Sequence, residues 1–222
     1  MSKPQSTGKC QLCGEVVGRA SMTRHLTACS QPQASGVAPA GKQPPGPSFH
    51  LVVEGRDAKA YWMHLAVPVT APLSKLDDFL RGIWLECCGH MSAFEIDGNR
   101  YASARTDGEM STRVPLRQVL DVGTKFFYEY DFGSTTELAL KVVALREQGT
   151  PKNAVQLLAR NEAPEVICQE CGAQPATLIC TECAWNGEGW LCGACAAEHE
   201  CGEEMSLPVV NSPRVGVCAY TG

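Results

Sequence analysis

From residue 48 onward the hydrophobic pattern is regular. "FHLVVEG" and "AYWMHLAVPV" are apolar, rich in β-branched and aromatic residues, and separated by a Gly-Arg-Asp turn, so they predict a β-hairpin. In "SKLDDFLRGIWLECC" the residues Leu76, Phe79, Leu80, Ile83, Trp84 and Cys87 recur at helical spacing. Ser74 is the expected N-cap, with Asp77 three positions later in a box-like arrangement, and Gly89 the expected stop. "SAFEIDGNRYASA" predicts strand, Asp-Gly turn, strand. "VPLRQVL" reads as a short helix, and "KFFYEYDF" with "TELALKVVAL" as a last hairpin. The order ββαββαββ predicts an α+β domain over residues 48–160, an antiparallel sheet with one long and one short helix.

The pattern fails on both sides of this core. Residues 30–47, "SQPQASGVAPAGKQPPGP", are rich in Pro, Gly, Ser, Ala and Gln, too poor in apolar surface to offset their ordering entropy. They read as a semi-extended linker after a small module at 1–29. A second boundary falls near "RNEAPE" at 160–165 and opens a Cys-rich module at 161–222.

Charge sharpens the division. Residues 1–47 carry five Lys/Arg against one acid, a net +4; residues 161–222 carry one Arg against nine Glu, a net −8, in a chain of net −5. A polyanion would meet the N-terminal segment and be repelled by the C-terminal one. Protein contact is therefore the expected task of the tail. No apolar run suits a secretory signal or a membrane span, so a cytoplasmic setting without membrane contact is expected.

In a reducing compartment, clustered cysteines read as metal ligands, and thirteen of them, an odd number, suit a disulfide framework poorly. Three Cys-x-x-Cys pairs, Cys168/Cys171, Cys180/Cys183 and Cys192/Cys195, follow one another at intervals of eight residues, and His199 and Cys201 come after them. Tetrahedral zinc takes four Cys or His donors, and a two-residue gap lets one turn aim both sulfurs at one ion, so these eight residues suffice for two zincs. Cys218 is a ninth candidate, able to displace Cys201 or His199. Near the N-terminus the spacing Cys10-x2-Cys13-x11-His25-x3-Cys29 supplies a third site, since His25 and Cys29 are four apart and share a helix face. Three zinc ions are expected in all.

Resemblances extend this reading. The N-terminal segment resembles the ββα zinc finger in its Cys-Cys-His-Cys variant; Val17 and Met22 stand where that family keeps its core apolar residues, and Ser21 is placed to cap the helix. The short gaps and H-x-C ending of the tail resemble the cross-braced B-box and ZZ modules. That resemblance implies one ion on Cys168, Cys171, Cys192 and Cys195 and another on Cys180, Cys183, His199 and Cys201; sequential pairing is the alternative. "HMSAFEIDGNRY" followed by "LRQVLDVGTKFFYEYDFG" resembles the family named for the third open reading frame of an Ri plasmid, through His90, Phe94, Tyr130, Asp131, Phe132 and Gly133. Ser92 stands where that family usually has a second His, and "STTE" replaces its Asp-x-Trp. Members are often labelled passengers of mobile elements, and the resemblance implies no reaction.

Three features of the core domain invite chemistry. "ECCGH" brings Cys87, Cys88 and His90 together, as a nucleophile or a metal site would need; the plainer reading buries Cys87 and lets His90 cap the next strand. Asp131 reads as a turn carboxylate capping its own hairpin, and His64 as a satisfied core or surface residue. No H-E-x-x-H or phosphate-binding loop is present, and the order needed for a zinc deaminase is reversed, so no motif supports catalysis. The expected function is zinc-dependent binding or adaptor work. Its partner is either DNA or RNA, met through residues 1–47, or another protein, with the chain acting as an interaction scaffold; a third reading is an enzyme using the middle-domain cleft near His90.

Overall fold

The computed structural model describes residues 6–29, 46–150 and 154–222. The linker read at 30–47 lies outside the described residues except for its last two positions, which begin a strand. The architecture is α+β, dominated by one ten-stranded sheet. Its strands in chain order are β1 (Thr7–Cys10), β2 (Val16–Gly18), β3 (Gly46–Gly55), β4 (Trp62–Pro68), β5 (Ser92–Ile96), β6 (Asn99–Ala102), β7 (Met110–Ser111), β8 (Lys125–Tyr130), β9 (Thr136–Thr150) and β10 (Gln156–Asn161). In space they run β2-β1-β10-β4-β3-β9-β8-β5-β6-β7, antiparallel throughout except for the β6–β7 edge pair. The β3–β4, β5–β6 and β8–β9 hairpins are those the sequence predicts. The Asp97-Gly98 turn has both residues at positive φ, as a primed two-residue turn requires.

The long helix is two pieces. α2 (Leu73–Leu80) is α-helical and continues as a π-helical turn over Arg81–Leu85. It starts one residue before the expected N-cap, with Pro72 at the cap position. Asp77 is consequently no capping-box partner. It is buried under the sheet and accepts hydrogen bonds from the hydroxyls of Ser92 and Tyr128, both at 2.7 Å. Leu73, Leu76, Leu80, Trp84 and Leu85 pack with Leu51, Met63, Leu65, Phe94, Tyr128 and Leu140 in the main core. The short helix is a single 3-10 turn, Leu116–Gln118.

β4 is buried along its whole length, which strict alternation explains. Met63, Leu65 and Val67 face the main core, while Trp62 and Ala66 face a second cluster with Met22 and Leu26 of the N-terminal segment. That segment is thus built onto the sheet: β1 pairs with β10 through Gly8↔Asn161, Lys9↔Arg160 and Cys10↔Ala159. The close approach needs Gly8, whose missing Cβ would lie 2.6 Å from the Arg160 carbonyl oxygen and 2.4 Å from the Trp62 ring. Strand β10, absent from the sequence reading, supplies the joint.

His64, on the same face as Trp62, is a core residue as the sequence suggests, and is buried with His50 across the β3–β4 pair, Nδ1 to Nε2 at 2.9 Å. One ring must donate and the other accept, so at least one is neutral. Burial pushes His50 down to about 4 and His64 down to about 3. Unfolding would return both toward about 6.5, so the unfolded chain binds more protons in acid. The protein should therefore be fully stabilised by this pair above pH 6.5 and lose that stability progressively as pH falls toward 4. Urea denaturation at pH 7 and pH 5 measures it; His64→Gln should flatten the pH dependence, and an equally steep loss in that variant would refute the assignment.

Candidate metal centres

Among the described residues, four groups of Cys and His side chains are each gathered so that their ligand atoms all lie within 4.8 Å of one another. The first is Cys10, Cys13, His25 and Cys29. Cys10 ends β1, and Cys13 sits in the β1–β2 turn, where Gly14 at φ 81 closes the bend by donating its N–H to the Cys10 carbonyl. α1 (Arg19–Ala28) carries His25, and Cys29 follows its last residue. Cys10 Sγ lies 3.9 Å from Cys29 Sγ, and Cys13 Sγ 3.3 Å from His25 Nε2. Glu15 approaches the other ring nitrogen of His25 at 3.6 Å. The helix begins three residues earlier than the sequence suggests, with Gly18 at the cap position, so Ser21 lies inside the first turn and caps nothing. Met22 is fully buried and Val17 packs beside it, as the finger resemblance implies.

In the tail, β11 (Leu178–Cys180), β12 (Trp190–Leu191) and β13 (Ser206–Pro208) form a three-stranded sheet. Two groups are interleaved around it. Cys168 and Cys171 meet Cys192 and Cys195, the latter pair at the start of α4 (Gly193–Ala197), with Cys171 Sγ 4.0 Å from Cys192 Sγ. Cys180 and Cys183, where β11 passes into α3 (Thr181–Ala184), meet His199 and Cys201; Cys183 Sγ is 3.4 Å from His199 Nε2 and 3.8 Å from Cys201 Sγ. The grouping is the cross-braced one, not the sequential alternative.

Cys218 belongs to neither tail group. It stands with Cys87, Cys88 and His90, more than a hundred residues back in the chain, 3.7 Å from Cys88 Sγ and 3.7 Å from His90 Nε2. Competition among nine candidates for eight places is therefore resolved by removing Cys218. Cys87 is half-buried against the main core, as the plain reading holds, but the His90 ring turns to Cys218 and to Asp131, 3.6 Å away. Asp131 does cap its hairpin, accepting the Gly133 N–H at 3.1 Å.

The donor sets fit zinc. With Zn–S near 2.3 Å and Zn–N near 2.05 Å, a tetrahedron has S···S edges of about 3.8 Å and S···N edges of about 3.6 Å. The observed S···S separations of 3.7–4.0 Å and S···N separations of 3.3–3.7 Å are those edges. Protonation also favours capture. Backbone N–H groups of Cys171 and Cys192 hold Cys168 down to about 6, and the Glu15 backbone holds Cys13 down to about 7. Burial pushes Cys180 up, but the Cys183 N–H and His199 more than offset it and bring it to about 7. Burial and neighbouring thiols push Cys29 and Cys183 up to about 12. Each of these groups thus pairs an easily ionised thiol with reluctant ones, whose protons a cation would displace.

A residue the sequence reading passed over holds the tail in place. Arg214, the only Lys or Arg in residues 161–222, is fully buried. It donates to Asp131 Oδ2 at 2.7 Å, Thr136 Oγ1 at 3.0 Å, the Ser134 carbonyl at 3.1 Å and Cys87 Sγ at 3.4 Å, with its guanidinium over the Tyr130 ring. A lone cation in a strongly acidic segment was the signal that could have found it.

A family model described as plasmid pRiA4b ORF-3-like protein matches residues 49–177, more than half of the chain. Among solved structures, a protein of unknown function, MM3350 from Methanosarcina mazei Go1, is similar at 15% identity and a TM-score of 0.44, over 57% of this chain and 75% of that one. No curated protein matches the chain.

Proposed function

We propose that this chain, which belongs to the plasmid pRiA4b ORF-3-like family, is a zinc-dependent adaptor whose finger and tail module present binding surfaces to a protein partner. The carrying observation is that the three groups at 10–29 and 168–201 are closed. Each offers four Cys or His donors at tetrahedral edges, and none keeps an open position for a substrate. When bound, zinc would supply cross-linking rather than reaction chemistry: Cys10, Cys13, His25 and Cys29 would hold one ion, Cys168, Cys171, Cys192 and Cys195 a second, and Cys180, Cys183, His199 and Cys201 a third.

Charge and exposure favour a protein over a nucleic acid. The tail carries a net −8 and exposes Trp185 at 72%, an aromatic beside acids that suits a partner with a basic, partly apolar surface. On the finger, Arg19 is already engaged by Glu54 and the Lys59 carbonyl, which leaves Lys9 and Arg24 exposed. Those two cations support nucleic-acid contact as the second reading.

Affinity capture with the full-length, zinc-loaded protein tests the first reading. A specific partner should bind in high salt, be lost after chelation, and bind at least tenfold more weakly to Trp185→Ala. Duplex DNA titrated by fluorescence anisotropy should give no saturable binding at 0.15 M salt. Micromolar duplex binding that falls steeply with salt and weakens in Arg24→Ala would overturn the protein reading in favour of the second.

A further inference from the structure

We infer that Cys87, Cys88, His90 and Cys218 form a fourth zinc site, one that fastens the C-terminal end of the chain onto the sheet domain. This goes beyond the three-ion reading above, because its ligands come from the middle of the chain and from its end. The first three follow the π-helical turn, where the chain bends and Gly89 reverses it at φ 73. The fourth arrives from residue 218.

Four observations carry the inference. The four ligand atoms lie within 4.8 Å of one another, and the edges Cys88 Sγ to Cys218 Sγ and Cys218 Sγ to His90 Nε2 are each 3.7 Å, the length a tetrahedral ion sets. A disulfide would bring the sulfurs to about 2.05 Å instead. The surroundings are those of ligands: Asp131 Oδ1 stands 3.6 Å from His90 Nδ1, placed to orient the ring, and Arg214 donates to Cys87 Sγ at 3.4 Å. The Tyr130 hydroxyl accepts the N–H groups of Cys87 at 3.4 Å and His90 at 3.3 Å and donates to Glu86 at 3.0 Å, so the ligand loop itself is held. Finally, the backbone is aimed. Among the described residues only three non-glycines have positive φ; Asp97 is in a turn, and the other two are Asp131 and Cys218. Asp131 takes this conformation as the cap of its own hairpin, but at Cys218 the strain is kept at a ligand itself.

The site differs from the other three in exposure. Cys88 and Cys218 are exposed, and Cys87 and His90 are half-buried. Its ion should leave first when a chelator competes. His90, Tyr130 and Asp131 also belong to the family resemblance, whereas Cys218 lies beyond the matched residues; the sheet domain thus contributes its own characteristic residues, and the tail closes the site.

The test is elemental analysis of the full-length protein purified with zinc, together with release timed by a colorimetric chelator. Wild type should hold four zincs per chain and release one at least tenfold faster than the rest. Cys218→Ala and Cys88→Ala should each hold three and lack the fast phase; both positions are exposed, so neither change opens a core cavity. Three zincs in wild type and in both variants would overturn the fourth site while leaving the three-ion reading intact. Four zincs in both variants would also overturn it, by placing the fourth ion elsewhere. So would an intact mass two hydrogens short, with a peptide map linking Cys88 to Cys218. Fewer than three zincs in wild type would sink both readings together.

Discussion

Stripping the metal is expected to unfold residues 168–205 while the sheet from β3 to β9 stays folded. The tail module has little else to hold it: its buried cluster is Cys180, Leu191 and Ala196, two of which are small and one a candidate ligand. Two structural zincs there would each contribute an apparent ~10–16 kcal/mol, as in zinc-finger peptides, and would far outweigh that burial. The sheet, by contrast, has a continuous core from Phe49 to Val142, including Trp84, Phe94 and Tyr128. The N-terminal segment falls between the two cases, because Met22 and Leu26 rest on Trp62 and Ala66 as well as on the candidate ligands. Amide hydrogen exchange with and without chelator separates the regions. Protection should vanish over β11, α3, α4 and β13, weaken in α1, and persist in β3, β4, β8 and β9. Uniform loss of protection would show that the sheet depends on metal too. Acid should act in the same direction as a chelator, since thiols must lose protons to bind a cation, and affinity therefore falls as pH falls.

Replacement of Arg214 by Ala is expected to cost about 3–5 kcal/mol, the usual penalty for leaving one partner of a buried ion pair unmatched. Asp131 would be left buried facing an empty volume, the Ser134 carbonyl and Thr136 hydroxyl would lose a donor, and the Tyr130 ring would lose the cation above it. The present pair holds Asp131 below the ordinary carboxylate range: burial alone would raise it, and the Arg214 hydrogen bond, with the Gly133 and Ser134 N–H groups, offsets that. Arg214→Lys should recover only part of the loss, because a single ammonium cannot serve Asp131, Thr136, Ser134 and Cys87 together. Chemical denaturation gives the values directly. A penalty under about 1 kcal/mol for Arg214→Ala would mean the tail is not locked to the sheet by this residue.

The sequence by itself determined the core hairpins, the helix between them, and which residues can meet within short range. These follow from local rules. Alternation in "AYWMHLAVPV" places Trp62 and Met63 on opposite faces, Asp97-Gly98 permits the primed turn, and a Cys-x-x-Cys gap aims two sulfurs one way whatever lies around it. Its ββα finger reading has the same origin, since a helical spacing brings His25 and Cys29 together. Tertiary structure decided what depends on contacts distant in the chain. Strand β10 has no turn signal that says it will pair with β1 on one side and β4 on the other; that choice is made by Trp62, which needs cover on its outer face and finds it under Gly8, Met22 and Leu26. The cap at Pro72 rather than Ser74 follows from burying Asp77 beneath Ser92 and Tyr128, a long-range demand that outweighs a local capping preference. Cys218 read as a spare ligand for the tail because sequence distance favours its nearest cysteines. It is carried instead to Cys88 and His90 because Arg214, four residues earlier, has its charge matched at Asp131, and burying that cation fixes where this part of the chain can lie.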